Sequence, residues 1–119
     1  MADAGLFLGW GDPVRGREAK SLEVFSEALA YYGRLQQEGR IESFETVLLE
    51  PHGGDLAGFF LLRGSSQQVA ELRVDDDFDR LTTRAGLVVD RLGVVGASLG
   101  DGLESTIGTY QQAVAELAG

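Results

Sequence analysis

Ser43-Phe44-Glu45-Thr46-Val47-Leu48-Leu49-Glu50 and Leu56-Ala57-Gly58-Phe59-Phe60-Leu61-Leu62-Arg63 are the two runs whose reading decides the fold. Each has the length and the β-branched or aromatic content of a strand. Between them stands Pro51-His52-Gly53-Gly54-Asp55, rich in residues that accept turn geometry. The pair reads as a β-hairpin. The apolar spacing says more. A half-buried strand alternates apolar and polar side chains. Val47-Leu48-Leu49 and Phe59-Phe60-Leu61-Leu62 instead put apolar side chains on both faces. Both faces of this sheet therefore need cover.

Upstream, Leu6-Phe7-Leu8-Gly9-Trp10 is a short first strand, also apolar on both faces. A Gly/Pro loop, Gly11 to Gly16, leads to a helix from about Arg17 to Glu38. Its residues Leu22, Val24, Phe25, Ala28, Leu29, Tyr31, Tyr32 and Leu35 share one side, a wide apolar arc suited to lying on a sheet. Gly39 stands where a C′ glycine ends a helix.

Downstream, Ser65 followed three residues later by Gln68 is a capping-box start. Asp75-Asp76-Asp77 restarts a second helical piece, because carboxylates suit a helix N-terminus. Phe78, Leu81 and Ala85 form its inward stripe. Leu87-Val88-Val89 and Leu92 to Ala97 read as extended chain, with the fourth strand in the second part. A last helix carries a narrow stripe of Leu103, Ile107, Tyr110, Val114 and Leu117. It is expected at the edge of the barrel, adding to the contact between subunits. The order is β-α-β-β-α-β plus a final helix. This is the α+β, ferredoxin-like pattern with a four-stranded antiparallel sheet, in one domain over residues 1–119. Its own helices cover one face only, so the other predicts a face-to-face homodimer.

At 119 residues the chain suits one domain with one core. Its hydrophobic content of 44% and charged content of 24% are ordinary globular values. A net charge of −9 opposes binding to nucleic acid or to an anionic membrane. The absence of cysteine excludes a disulfide scaffold and thiolate zinc sites. No stretch spans a bilayer or starts like a signal peptide, so a cytoplasmic protein is expected.

Gly39-Arg40-Ile41, Glu50-Pro51, Gly58, Ser66, Asp77-Phe78 and Ala85-Gly86-Leu87-Val88 carry a resemblance, in order and spacing, to the dimeric α+β barrel superfamily. Within it the chain is most similar to small bacterial YCII-related proteins. The resemblance implies a dimer with a pocket between sheet and helices in each subunit. The superfamily includes small monooxygenases, isomerases, dehalogenase-like and haem-degrading enzymes, and many proteins without known activity. YCII-related proteins usually carry a histidine early in the first helix, and Arg17 to Glu38 contains none.

The residues that could carry chemistry are few. Gly96-Ala97-Ser98-Leu99-Gly100 fits a nucleophile elbow, but no histidine follows Ser98 to serve as its base. His52, the sole histidine, is a turn residue that could act as a lone general base or an axial haem ligand. Asp12 is the other proton-transfer candidate. The Asp75–Asp79 run lacks the ligand spacing of a calcium loop and reads as a helix cap, so no metal and no cofactor is called for. Arg15, Arg17 and Lys20 form a local positive patch on an acidic chain, fit to hold a carboxylate. Tyr31, Tyr32, Trp10, Phe44, Phe59 and Phe60 could line an aromatic pocket. The reading that unites them is a small, partly apolar acid or aromatic ligand, held by Trp10 and Tyr32 and oriented by Arg15 or Arg17. A cofactor-independent monooxygenase, lyase or isomerase is the alternative, and an interaction module without a ligand the third.

Overall fold

A computed structural model describes residues 2–118 of the chain. Strand β1 (Ala4–Trp10) leads to helix α1 (Glu18–Gln37), then β2 (Ser43–Leu48) and β3 (Gly58–Gly64). Two short helices follow, α2 (Ser66–Arg73) and α3 (Asp76–Gly86), then β4 (Gly93–Ser98) and α4 (Asp101–Ala118). The strands form one sheet in the order β2-β3-β1-β4, and every neighbouring pair is antiparallel. This is the ferredoxin-like arrangement.

Register assigns each side chain to a face, because strand side chains alternate. The pairs Leu6↔Leu62, Leu8↔Phe60 and Phe44↔Leu62 set one face. These residues join Val24, Ala28, Tyr31, Tyr32 and Leu35 of α1, Leu72 of α2, and Phe78 and Leu81 of α3 in the core. The pairs Phe7↔Leu61, Phe7↔Val95 and Val47↔Phe59 set the other face. No helix of the fold covers that face, and Phe7 and Phe59 lie against each other there with ring centroids 5.1 Å apart. Both faces are apolar and one is open.

Two expectations shift. The extended reading of Leu87-Val88-Val89 holds only at Val89, which bridges to Pro13, for Leu87 caps α3 and Val88 and Val89 still donate to the Ala85 carbonyl. The hairpin turn is longer than the Gly-rich segment alone: β2 stops at Leu48, and Leu49 N–H to Ala57 O closes a nine-residue connection over 49–57. Helix α4 leaves the body of the fold. The radius of gyration is 16.2 Å, against about 13.5 Å for a compact domain of this length.

The helix starts are built as their sequences require. Ser65 and Gln68 exchange both bonds of a capping box. Asp75 caps α3, accepting from the backbone N–H of Asp77 and Phe78, while Arg40 donates to its other oxygen at 2.7 Å. The Arg40 guanidinium, first, and the Phe78 N–H hold the Asp75 carboxyl below the usual carboxylate range. A carboxyl with a lowered folded pKa stabilises above its unfolded pKa, and that contribution is lost as pH falls through the folded value. Asp75→Ala is therefore expected to cost about 1 kcal/mol, measured by urea unfolding at neutral pH. The difference from wild type should shrink as the pH drops below about 4. Asp79→Ala, whose side chain caps nothing, should change the midpoint little.

Candidate functional site

The packed face of the sheet does not close completely. A cavity of about 210 Å³ lies between it, α1, α3 and the segment after α3. Three aromatic side chains on three elements make its wall. Trp10 ends β1, Phe25 comes from α1 and Phe60 from β3, with Trp10–Phe60 at 5.2 Å and Phe25–Phe60 at 5.5 Å between centroids. Tyr32, edge-on to Phe60 at 5.0 Å, extends the wall. Leu81, Thr82 and Ala85 of α3 face them across the space, and Val88, Val89 and Leu92 complete the lining. Leu22 and Leu48 also line it, yet are 68% and 66% exposed. They mark an apolar mouth open to solvent.

The side of the cavity is held by backbone. Gly11 N–H donates to Asp90 O at 2.7 Å, Asp90 N–H to Asp12 O at 2.8 Å and Val14 N–H to Val88 O at 2.8 Å. The loop after β1 is thereby zipped to the segment after α3, with Pro13 bridged to Val89. Gly11 permits this, since a Cβ there would lie 3.0 Å from the Asp55 carbonyl oxygen and 3.1 Å from that of Asp90. Trp10 is anchored by its own carbonyl, which accepts from Ala57 N–H at 2.7 Å.

The lining is almost wholly apolar, and it contains no carboxylate, histidine, lysine or arginine. Two hydroxyls stand out. Thr82 Oγ1 is buried and has no hydrogen-bond partner among the described residues. Tyr32 is 2% exposed, and burial, with Tyr31 beside it, pushes its phenol above the ordinary value. Burial, then the nearby Asp75 carboxylate, raises Tyr31 to about 12. Its hydroxyl donates to Asp75 at 3.3 Å, away from the cavity.

The residues singled out from sequence divide accordingly. Trp10, Tyr32 and Phe60 line the cavity. Phe59 is on the open face, Tyr31 and Phe44 stand outside the lining, and Phe44 packs edge-on to Tyr32. Arg15 and Arg17 are exposed and lie outside the lining. Arg17 is the N-cap of α1, one turn before Ser21 of the lining. Neither arginine forms an ion pair among the described residues. Asp12 is exposed beside Pro13. His52 is engaged within its own loop, with Nε2 2.8 Å from Leu56 O and Nδ1 accepting from Gly54 N–H at 3.2 Å. Ser98 pairs its hydroxyl with Thr106. Thr82, Ala85 and Phe25 were not singled out as site residues. Phe25 stood in the helical arc, and nothing local in the sequence distinguishes a core residue from one beside a cavity. Among the described residues no three histidine, aspartate or glutamate side chains gather as a metal-binding group, and no helix is long and apolar enough to cross a membrane.

No family model and no curated protein matches the chain. Solved structures do. A dimeric protein of unknown function with a ferredoxin-like fold from Bacteroides fragilis matches with a TM-score of 0.59 at 9% identity, over 81% of this chain and 96% of that one. A dimeric ferredoxin-like protein of unknown function from a Jannaschia species matches at 0.61 and 14%, over 82% and 98%. SnoaB, a cofactor-independent oxygenase from Streptomyces nogalater, matches at 0.55 and 15%, over 83% and 95%. At these identities the likeness establishes the fold.

The raised phenols give the fold a pH signature. An unfolded tyrosine ionises near pH 10, before Tyr31 or Tyr32 does in the folded chain. Their stabilising contribution is whole below that pH and is lost as the pH climbs above about 10, that of Tyr31 through about 12. Urea midpoints measured across this window should fall, and Tyr32→Phe should flatten the fall. A midpoint flat across the window in wild type would contradict the burial of these phenols.

Proposed function

We propose that this chain is the subunit of a homodimer in which each cavity holds one small, largely apolar molecule of one or two rings. The observation that carries this is the cavity itself: about 210 Å³, walled by aromatic side chains, with an apolar mouth and an unpartnered buried hydroxyl, Thr82. An apolar cavity of about 150 Å³ is large enough to take up benzene. Few polar groups in an apolar pocket give orientation, while the walls give affinity. Thr82 and Tyr32 are the groups that would meet a carbonyl or hydroxyl on the ligand. Arg15 or Arg17, exposed and free of ion pairs among the described residues, would take an acidic group. The dimer follows from the open apolar face, and two of the fold's neighbours are themselves described as dimeric. We also keep within this proposal the YCII-related kinship and a cytoplasmic location, which suits a chain without cysteine.

The likeness to SnoaB supports a second reading, a cofactor-independent oxygenase or a related lyase or isomerase. Such chemistry needs a proton removed from the substrate. The only titratable group in the lining is Tyr32, whose pKa is raised, which makes it a poor base at neutral pH. Asp12 and His52 would have to act from outside the lining. Binding is therefore the preferred reading.

Trp10 is the chain's sole tryptophan, so it reports on the cavity directly. Titration with 4-methylacetophenone and with 4-methylbenzoate should give a saturable change in its emission. Ala85→Phe, which fills the cavity from α3, should weaken both at least tenfold, about 1.4 kcal/mol, with the circular dichroism unchanged. Arg17→Gln should weaken only the carboxylate. No saturable signal from either compound, or equal binding to Ala85→Phe, would overturn the proposal.

A further inference from the structure

Helix α4 stands apart from the body of the fold. Its start is fixed. Leu99 N–H donates to Asp3 O at 3.1 Å, Thr106 donates to Gly102 O at 3.0 Å, and the Ser98 and Thr106 hydroxyls pair. Gly102 is pressed on the residue before the first strand, since a Cβ there would sit 2.0 Å from the Asp3 carbonyl oxygen. The helix thus leaves in a set direction, yet beyond this first turn none of its residues is buried. Leu103, Ile107, Tyr110, Val114 and Leu117 are between 46% and 88% exposed.

Their spacing alternates steps of four and three residues. Two apolar positions in seven make a narrow seam, the a and d positions of a two-stranded coil, where a helix lying on a sheet shows a wider arc. The flanking e and g positions are Glu104, Gln111 and Ala118, and Thr106 and Ala113. One charge in five leaves no row of like charges to repel an identical helix. An anionic membrane is disfavoured, because the helix carries Asp101, Glu104 and Glu116 and no lysine or arginine. The neighbours of this fold are matched over 90–98% of their length, but over only 81–84% of this chain. Five side chains make a small contact, so the seam needs a second contact surface to hold a stable dimer.

We propose that α4 is a pairing device: its seam packs on the α4 seam of a second copy of this chain, adding a contact outside the open sheet face to the same dimer. The chain has no cysteine, so single cysteines test this cleanly. Tyr110→Cys lies in the middle of the seam, and Gln112→Cys lies on the far side of the helix. Mild oxidation should convert Tyr110→Cys to a disulfide-linked dimer and leave Gln112→Cys largely monomeric on a non-reducing gel. Ile107→Asp, which keeps the fold's core untouched, should raise the dimer dissociation constant at least tenfold in sedimentation. The proposal is overturned if Tyr110→Cys couples no faster than Gln112→Cys. It is also overturned if Ile107→Asp dimerises as wild type does, which would place the seam on the helix's own subunit or on another partner.

Discussion

The constraint on which the rest of this structure depends is a four-stranded sheet that is apolar on both faces and has helices for one. Adjacent apolar residues, such as Phe59 and Phe60, cannot share a face when side chains alternate. Phe60 enters the helix-covered core and Phe59 joins Phe7, Leu61 and Val95 on the open side. A one-residue slip of β3 would exchange the two sets and place Arg63 in the core, so the register is strongly specified. One side of the sheet is then free to shape a cavity, and the other is left uncovered.

The cavity arises where four aromatic rings meet the slender side chains of α3. Rings pack edge-on or tilted, and an alanine at 85 leaves the space opposite them unfilled. Interiors are otherwise close-packed, and a phenylalanine at this position would restore contacts that the chain forgoes. The zipped backbone of residues 11–14 and 88–90 keeps the wall in place without side-chain plugs. Thr82, a lining residue, also carries a buried hydroxyl with no hydrogen-bond partner among the described residues. These features leave an apolar space beside the sheet.

What was legible in the sequence was what local rules govern. The cap at Ser65 with Gln68, the Asp75 start of α3 and the hairpin strands rest on spacings of a few residues. The two-faced strands gave the order and the open face. Leu87-Val88-Val89 misled because an apolar run with two β-branched residues looks extended, while its backbone is held by the last turn of α3 and by Val14. The cavity was half visible: Trp10 and Tyr32 stood out as amphipathic aromatics, whereas Thr82 and Ala85 look like ordinary helix residues. A void is made by what is missing across a gap between elements distant in sequence. The charged residues were conspicuous for the opposite reason. Arg15, Arg17, Asp12 and His52 attract attention by type, and the fold leaves them exposed, around the cavity's loops or in their own turn.

The central claim is that the open face of Phe7, Phe59, Leu61 and Val95 is the seat of a homodimer. Sedimentation equilibrium at low micromolar concentration tests it most directly. Wild-type protein is expected at twice the 12.7 kDa chain mass, and Phe59→Glu, which puts a charge in the middle of the open face and leaves the helix-covered core unchanged, at the mass of one chain. A wild-type protein of 12.7 kDa, or a Phe59→Glu variant as dimeric as its parent, would contradict the account.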